Sequence, residues 1–225
     1  MAKQASQYET IILVTESIFS MDGDVTDLPR LVDLKRHYPQ LMLYVDEAHA
    51  IGVRGEQGLG VAEECGCIGE IDLLVGTFGK ALASMGAYVV CSEVIRSYLI
   101  NKMRPLIFST ALPPLQMAWT QFLWEQLPTW QSERERLHRM SRQLAQALQG
   151  RGGEISESHI IPFLIGDSRD CIVQAEQLQR KGFYCLPVRP PTVPQGTSRI
   201  RFSLTAAIQP AEVERLIQAI QEEVR

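Results

Sequence analysis

The sequence predicts an α/β protein in which a mostly parallel sheet covered by helices is followed by a small α+β domain. Three observations lead there. From Thr10 to about Cys91, short apolar runs rich in β-branched residues alternate with helix-like segments, the pattern of strands joined by helical crossovers. Long helical stretches follow, and after them strands and helices alternate again over a shorter span. The balance of 45% hydrophobic and 21% charged residues over 225 positions is that of a globular chain, long enough for one large domain or two small ones.

The first strand is expected at 10–15 and the second at 41–45. Between them Leu28, Leu31, Val32 and Leu34 recur at helical spacing behind Asp27, a side chain suited to capping a helix start, and Pro39 closes the segment. Strand, helix and strand make one βαβ unit. Further strands are expected at 71–76 and 87–91, then helices at 92–102, 114–126 and about 132–149, the last stopped by Gly150, Gly152 and Gly153. The remainder reads as strand 159–165, helix 168–181, an extended segment to Val188, strand 199–204 and helix 210–224. Pro190-Pro191-Thr192-Val193-Pro194 is short and lies between strands, so it reads as a rigid loop, not a domain linker. On this reading 1–112 is part of a large domain, 113–153 forms connecting helices and 154–225 is a small C-terminal domain.

A formal net charge of −4, with no stripe of Lys and Arg interleaved with aromatics, argues against a nucleic-acid partner. The longest apolar runs, such as Leu41-Met42-Leu43-Tyr44-Val45, fall far short of the roughly 20 residues that span a bilayer, so no membrane helix is expected. The first residues lack the apolar stretch of a secretory signal, and the cytosol is the expected compartment. Cys65, Cys67, Cys91, Cys171 and Cys185 form an odd set without a C-x-x-C pair, which points to reduced thiols and to no metal site.

The strongest local signal is Val75-Gly76-Thr77-Phe78-Gly79-Lys80-Ala81-Leu82, a strand that ends in small residues and a hydroxyl and then presents a lysine. In open α/β sheets the carboxyl ends of strands line the ligand crevice. A lysine there can condense with the aldehyde of a pyridoxal cofactor and, once released, move the substrate α-proton. Read alone, Lys80 is more readily a surface lysine after a turn. Asp46 adds a second element, because it directly follows an apolar strand. A pyridoxal site needs a carboxylate there to keep the ring nitrogen protonated. His49, in Asp46-Glu47-Ala48-His49, would face the same crevice and lie against the ring or bond its phenolic oxygen, where an isolated histidine would be structural or solvated. D-E-A-H also occurs in helicases, but that reading requires a Walker A loop and the sequence has none. The glycine-rich stretch 52–60 lacks the spacing of a dinucleotide site and reads as a tight loop whose glycines adopt positive φ.

Taken in order, Glu16-Ser17-Ile18-Phe19-Ser20-Met21-Asp22-Gly23-Asp24, Asp46-Glu47-Ala48-His49, Thr77-Phe78-Gly79-Lys80 and Phe108-Ser109-Thr110-Ala111-Leu112-Pro113-Pro114 closely resemble the α-oxoamine synthases, over nearly the whole chain. That family condenses an amino acid with an acyl thioester and loses carbon dioxide, on the pyridoxal-phosphate-dependent transferase fold of the aspartate aminotransferase type. The resemblance implies that Lys80 binds the cofactor aldehyde, Asp46 pairs with the pyridinium, His49 contacts the cofactor oxygen, Thr77 bonds the phosphate and Ser20 lies near the ring. It implies that Ser109 and Thr110 reach the phosphate of a neighbouring subunit, and hence a homodimer with shared sites. It places Thr192 and Arg201 at substrate-binding positions, Arg201 on the amino-acid carboxylate. An arginine fork suits a carboxylate bidentately. Arg199 lies on the same strand face by period two, so two solvated arginines remain the alternative.

Within the family, Ile107-Phe108-Ser109-Thr110-Ala111-Leu112-Pro113-Pro114 and Arg189-Pro190-Pro191-Thr192-Val193-Pro194 look most like the biotin-pathway members, whose substrates are L-alanine and a pimeloyl thioester of coenzyme A or acyl carrier protein. Members using glycine and acetyl-CoA are the alternative. Family members carry roughly a further domain's worth of residues before the point that matches Met1, which would itself lie in a helix ahead of the first strand. A truncated chain is therefore expected, with a non-catalytic fragment serving as a partner subunit as the other reading.

Overall fold

Three strands, β1 (Ile11–Glu16), β2 (Leu41–Asp46) and β3 (Leu73–Thr77), run parallel, and β4 (Ala87–Cys91) closes the sheet antiparallel to β3 in the order β1-β2-β3-β4. The computed structural model describes residues 7–149 and 156–222. The glycine stop at Gly150, Gly152 and Gly153, the helix expected around Met1 and the end of the last helix at Val224 lie outside the described residues. The chain falls into two units, Met1–Ile18 with Thr26–Gln131, and Phe19–Val25 with Ser132–Arg225.

In the first unit α1 (Leu28–His37) makes the crossover from β1 to β2. Asp27 starts it, its carboxylate accepting from Arg30 N at 3.1 Å, and Lys35, Arg36 and His37 set positive charge in the last turn, where the helix dipole favours it. β2 alternates, with Leu41, Leu43 and Val45 buried on one face. β3 starts two residues later than expected, because Ile71 closes a single 3₁₀ turn over Ile68–Glu70 and the Asp72 carboxylate accepts from Leu43 N at 2.8 Å. The stretch 52–60 is a loop with positive φ at Gly52, Gly55, Gly58 and Gly60, and it ends in a short helix, α2 (Val61–Glu64), that the sequence reading did not include.

After β4 come α3 (Glu93–Lys102), capped by the Ser92 hydroxyl, then α4 (Arg104–Ile107) and α5 (Pro114–Gln126). α4 was not anticipated; one turn between two longer helices carries too few residues for a periodicity signal. A 3₁₀ turn over Leu127–Trp130 leads into α6 (Gln131–Ala147). Leu82, Ile51 and Leu127 form a buried cluster beneath the loop after β3, flanked by Phe78 and Tyr88. Gly76 sits opposite Tyr88 in the β3–β4 register, and a Cβ there would fall 2.4 Å from the tyrosine ring.

The second unit holds most of α6, then β5 (Ile160–Gly166), α7 (Ser168–Arg180), β6 (Pro187–Val188), β7 (Ser198–Ser203) and α8 (Pro210–Glu222), with an antiparallel sheet in the order β5-β7-β6. Ile160, Ile161 and Ile200 of the sheet and Leu178 of α7 are fully buried. Phe19–Val25 joins this unit through close packing: a Cβ on Gly23 would lie 2.0 Å from the Ile160 carbonyl, and Asp22 pairs with Arg199. The chain passes from the first unit to the second between Gln131 and Ser132, inside α6. No helix among the described residues is long and apolar enough to cross a membrane.

Candidate active site

Register brings the candidate residues of the first unit to one edge. Glu16 is paired with Asp46, and Asp46 with Val75, so the carboxyl ends of three parallel strands finish together, with Thr77 just beyond. Asp46 continues the half-buried face of β2, and its carboxylate accepts from Ala48 N at 2.8 Å, which turns the chain sharply. Glu47 continues the buried face. Its backbone N–H donates to Val75 O at 2.7 Å, and its carbonyl accepts from Ala50 N and Ile51 N at 2.8 and 2.9 Å. His49 sits in the middle of this turn, with Nε2 at 2.9 Å from Lys80 Nζ. A lysine ammonium has only donors, so with Lys80 charged the imidazole accepts at Nε2 and carries its proton on Nδ1.

The loop that presents Lys80 is tied at several points. Thr77 Oγ1 donates to Gly86 O at 3.1 Å and accepts from Gly79 N at 3.2 Å. Ser84 N donates to Phe78 O at 2.7 Å, and Leu82 is sunk in the core two residues after the lysine. Ala83 has φ 44°, the left-handed region, and its carbonyl accepts from Trp119 Nε1 of α5 at 3.1 Å. Ser84 Oγ contacts Thr120 Oγ1 and Gln116 Nε2 of the same helix, each at 2.5 Å. Ser109 and Thr110 follow α4 and are exposed, with the Ser109 hydroxyl donating to Pro105 O.

The second unit carries Ser20, Thr192 and Arg201. Arg201 Nε donates to the Ser20 carbonyl and Nη1 to Ser203 Oγ at 2.5 Å, and burial pushes this guanidinium below its ordinary pKa. Arg199 is buried, paired with Asp22, and donates from Nε to Thr197 O at 3.0 Å. Arg199 is thus not a solvated strand arginine, and Arg201 is partly buried with two protein partners. Thr192 is exposed in its loop, its N–H donating to Arg189 O at 3.0 Å.

Sequence reasoning passed over Glu47, Asp22 and the trio Ser84, Gln116 and Thr120. A signal existed for Glu47, since period two along β2 sends it to the same side as Leu43 and Val45. The others depend on contacts distant in sequence. The five cysteines are free thiols, and burial pushes those of Cys67 and Cys185 up to about 11. No group of metal-ligating side chains occurs among the described residues.

The chain is 57% identical over 223 residues to 8-amino-7-oxononanoate synthase of Haemophilus ducreyi, covering 97% of this chain and 58% of that protein. It superposes on a serine palmitoyltransferase from S. paucimobilis, whose structure holds a pyridoxal phosphate–myriocin adduct, with a TM-score of 0.87 at 30% identity, over 98% of this chain and 57% of that one. The structure of 8-amino-7-oxononanoate synthase from Francisella tularensis gives a TM-score of 0.81 at 26% identity, over 99% of this chain and 66% of that one. The chain thus spans a little over half the length of the curated relative it matches. The model of aminotransferase class I and II matches residues 1–220, and the chain belongs to that family.

Proposed function

We propose that this chain is the lysine-bearing part of a pyridoxal-phosphate-dependent acyltransferase of the α-oxoamine synthase type, which condenses L-alanine with a pimeloyl thioester and releases carbon dioxide to give 8-amino-7-oxononanoate. The observation that carries the reading is the 2.9 Å contact between Lys80 Nζ and His49 Nε2, at the strand edge that also ends in Asp46. The choice of substrates is supported by the 57% identity to the Haemophilus ducreyi enzyme of that name.

The donor set fits the cofactor. Lys80 offers an amine for its aldehyde, Asp46 a carboxylate for its ring nitrogen and His49 an imidazole for its phenolic oxygen, with Thr77 as a hydroxyl on the same strand edge. When bound, pyridoxal phosphate supplies an electron sink for the negative charge left at the substrate α-carbon. Asp46 keeps the proton on the ring nitrogen. Lys80 Nζ would hold the cofactor aldehyde and serve as the base for the substrate α-proton, with His49 Nε2 fixing where that nitrogen stands. Arg201 pairs with the amino-acid carboxylate, and Thr192 lines the substrate side. Two copies share sites, Ser109 and Thr110 of one reaching the phosphate held by the other. The apolar side chains exposed on α3, α4 and α5 support such pairing.

Borohydride reduction of the protein loaded with pyridoxal phosphate, followed by peptide mapping, tests the centre of the proposal. The phosphopyridoxyl label is expected on Lys80. A label on Lys102 or Lys181 with Lys80 unmodified overturns it. Product formation from alanine and pimeloyl-CoA, set against glycine and acetyl-CoA, tests the substrates separately.

A further inference from the structure

Glu47 is 0% exposed, a carboxylate placed where only strong hydrogen bonding offsets its desolvation. It accepts three bonds: from Ser17 Oγ at 2.5 Å, from Ala62 N at 2.7 Å and from Val61 N at 3.1 Å. The three donors come from two places. Ser17 follows β1, and Val61 and Ala62 open α2 at the end of the glycine loop. Space around the carboxylate is fully used, since a Cβ on Gly60 would fall 2.6 Å from Glu47 Oε2.

The backbone of Glu47 is committed as well, its N–H to Val75 of β3 and its carbonyl to Ala50 and Ile51. Asp46 precedes this anchored residue on the opposite strand face, and His49 follows two residues later in the turn, 2.9 Å from Lys80. We propose that Glu47 is a positioning residue: by clamping the end of β1 and the start of α2 to one point, it sets the turn that holds the Asp46 carboxylate and the His49 imidazole opposite Lys80. This rests on the function proposed above. Burial pushes the Glu47 carboxyl above its ordinary pKa despite the three donors, which is the mark of a group retained at an energetic cost.

Glu47→Gln keeps the shape but brings an NH₂ group against donors that need an acceptor, and Ser17→Ala deletes one donor and leaves the carboxylate in place. Both are compared with wild type in the holoenzyme. In Glu47→Gln, kcat is expected to fall by roughly 100-fold, the loss that about 1 Å of misplacement brings, with KM for alanine nearly unchanged. The pH titration of the bound-cofactor absorption band shifts, and amide exchange over 45–52 quickens in the cofactor-free protein. Ser17→Ala moves each readout the same way by less. If either variant folds and melts at lower temperature while kcat, the band titration and exchange over 45–52 match wild type, Glu47 is structural only and the proposal fails. Should Glu47→Gln not fold, Ser17→Ala decides alone. A wild-type protein that shows no cofactor band overturns the underlying function and this inference with it, an outcome distinct from a normal wild type with unaltered variants.

Discussion

Asp46 and Glu47 are adjacent acids with different surroundings because a strand sends successive side chains to opposite faces. The first is half-buried at the sheet edge, and the second is closed inside the unit. Asp46→Asn removes the charge that would face a pyridinium, a loss of roughly 3–5 kcal/mol in comparable buried pairs, so weaker cofactor binding and nearly abolished α-proton exchange of alanine are expected. Wild-type exchange in deuterated buffer would refute that role. Glu47 carries a pH signature: its folded carboxyl pKa lies above the ordinary 4.5, so its contribution to stability is complete below the unfolded pKa and is lost as pH rises through the folded one. Denaturant unfolding of wild type and Glu47→Gln should give a stability difference that moves against wild type as pH climbs from about 4.5. A flat difference excludes the raised pKa. Arg201 already spends Nε on the Ser20 carbonyl and Nη1 on Ser203. A lysine cannot serve those groups and also present a fork to a carboxylate, so Arg201→Lys is expected to raise KM for alanine far more than for the acyl thioester. Equal changes for both substrates would remove the carboxylate assignment.

At the scale of elements, the loop from β3 to β4 is the part of the site under most local constraint. It places Ala83 at φ 44°, a conformation that costs an L-residue roughly 1–2 kcal/mol and glycine little. Ala83→Gly is therefore expected to change stability in the favourable direction by up to about 1 kcal/mol, reduced by the added freedom of glycine in the unfolded chain. Thermal unfolding measures it, and a lowered melting temperature would show that the Trp119 bond and Leu82 burial leave no strain to relieve. This φ could not be read from Ala-Leu-Ala-Ser, whereas most elements could be placed. Leu28, Leu31, Val32 and Leu34 behind Asp27 gave α1, and the apolar run Leu41–Val45 gave β2, because periodicity, apolar runs and capping are local signals. α2 and α4 are single turns with no period to detect, and the start of β3 was set by the side chain of Asp72 reaching β2. The candidate site was proposed on Lys80, Asp46 and His49 because each closes a recognisable strand or motif. Glu47's donors, Arg199's pairing with Asp22 and the grip of α5 on Ser84 join residues far apart in sequence, where no local pattern speaks.

For the whole molecule, the outstanding feature is apolar surface gathered on consecutive helices of the first unit. α3 and α4 bury no residue at all, and Val94 of α3 at 81% and Leu115 of α5 at 83% exposure stand among many others on α3, α4 and α5, with Phe108 just after α4 at 74%. A ten-residue helix without a buried face gains little from packing, and one this short is marginal by propensity alone. Apolar patches of this extent on a folded surface mark an interaction face. With Ser109 and Thr110 in the same stretch and proposed to serve a neighbouring site, a second copy of the chain is the cover that the functional reading requires. Expressed as residues 1–225, the protein is expected to sediment at micromolar concentration as a dimer or larger species. The pair Val94→Lys and Leu115→Lys places charge on that face without touching the sheet, the Lys80 loop or any group bonded to it. Those substitutions are expected to shift the distribution toward monomer while leaving the far-ultraviolet circular dichroism of the sheet and long helices in place. A wild-type chain that sediments as a monomer, with α3 amides protected from exchange, would mean that these helices hold without a partner and would remove the structural support for shared sites.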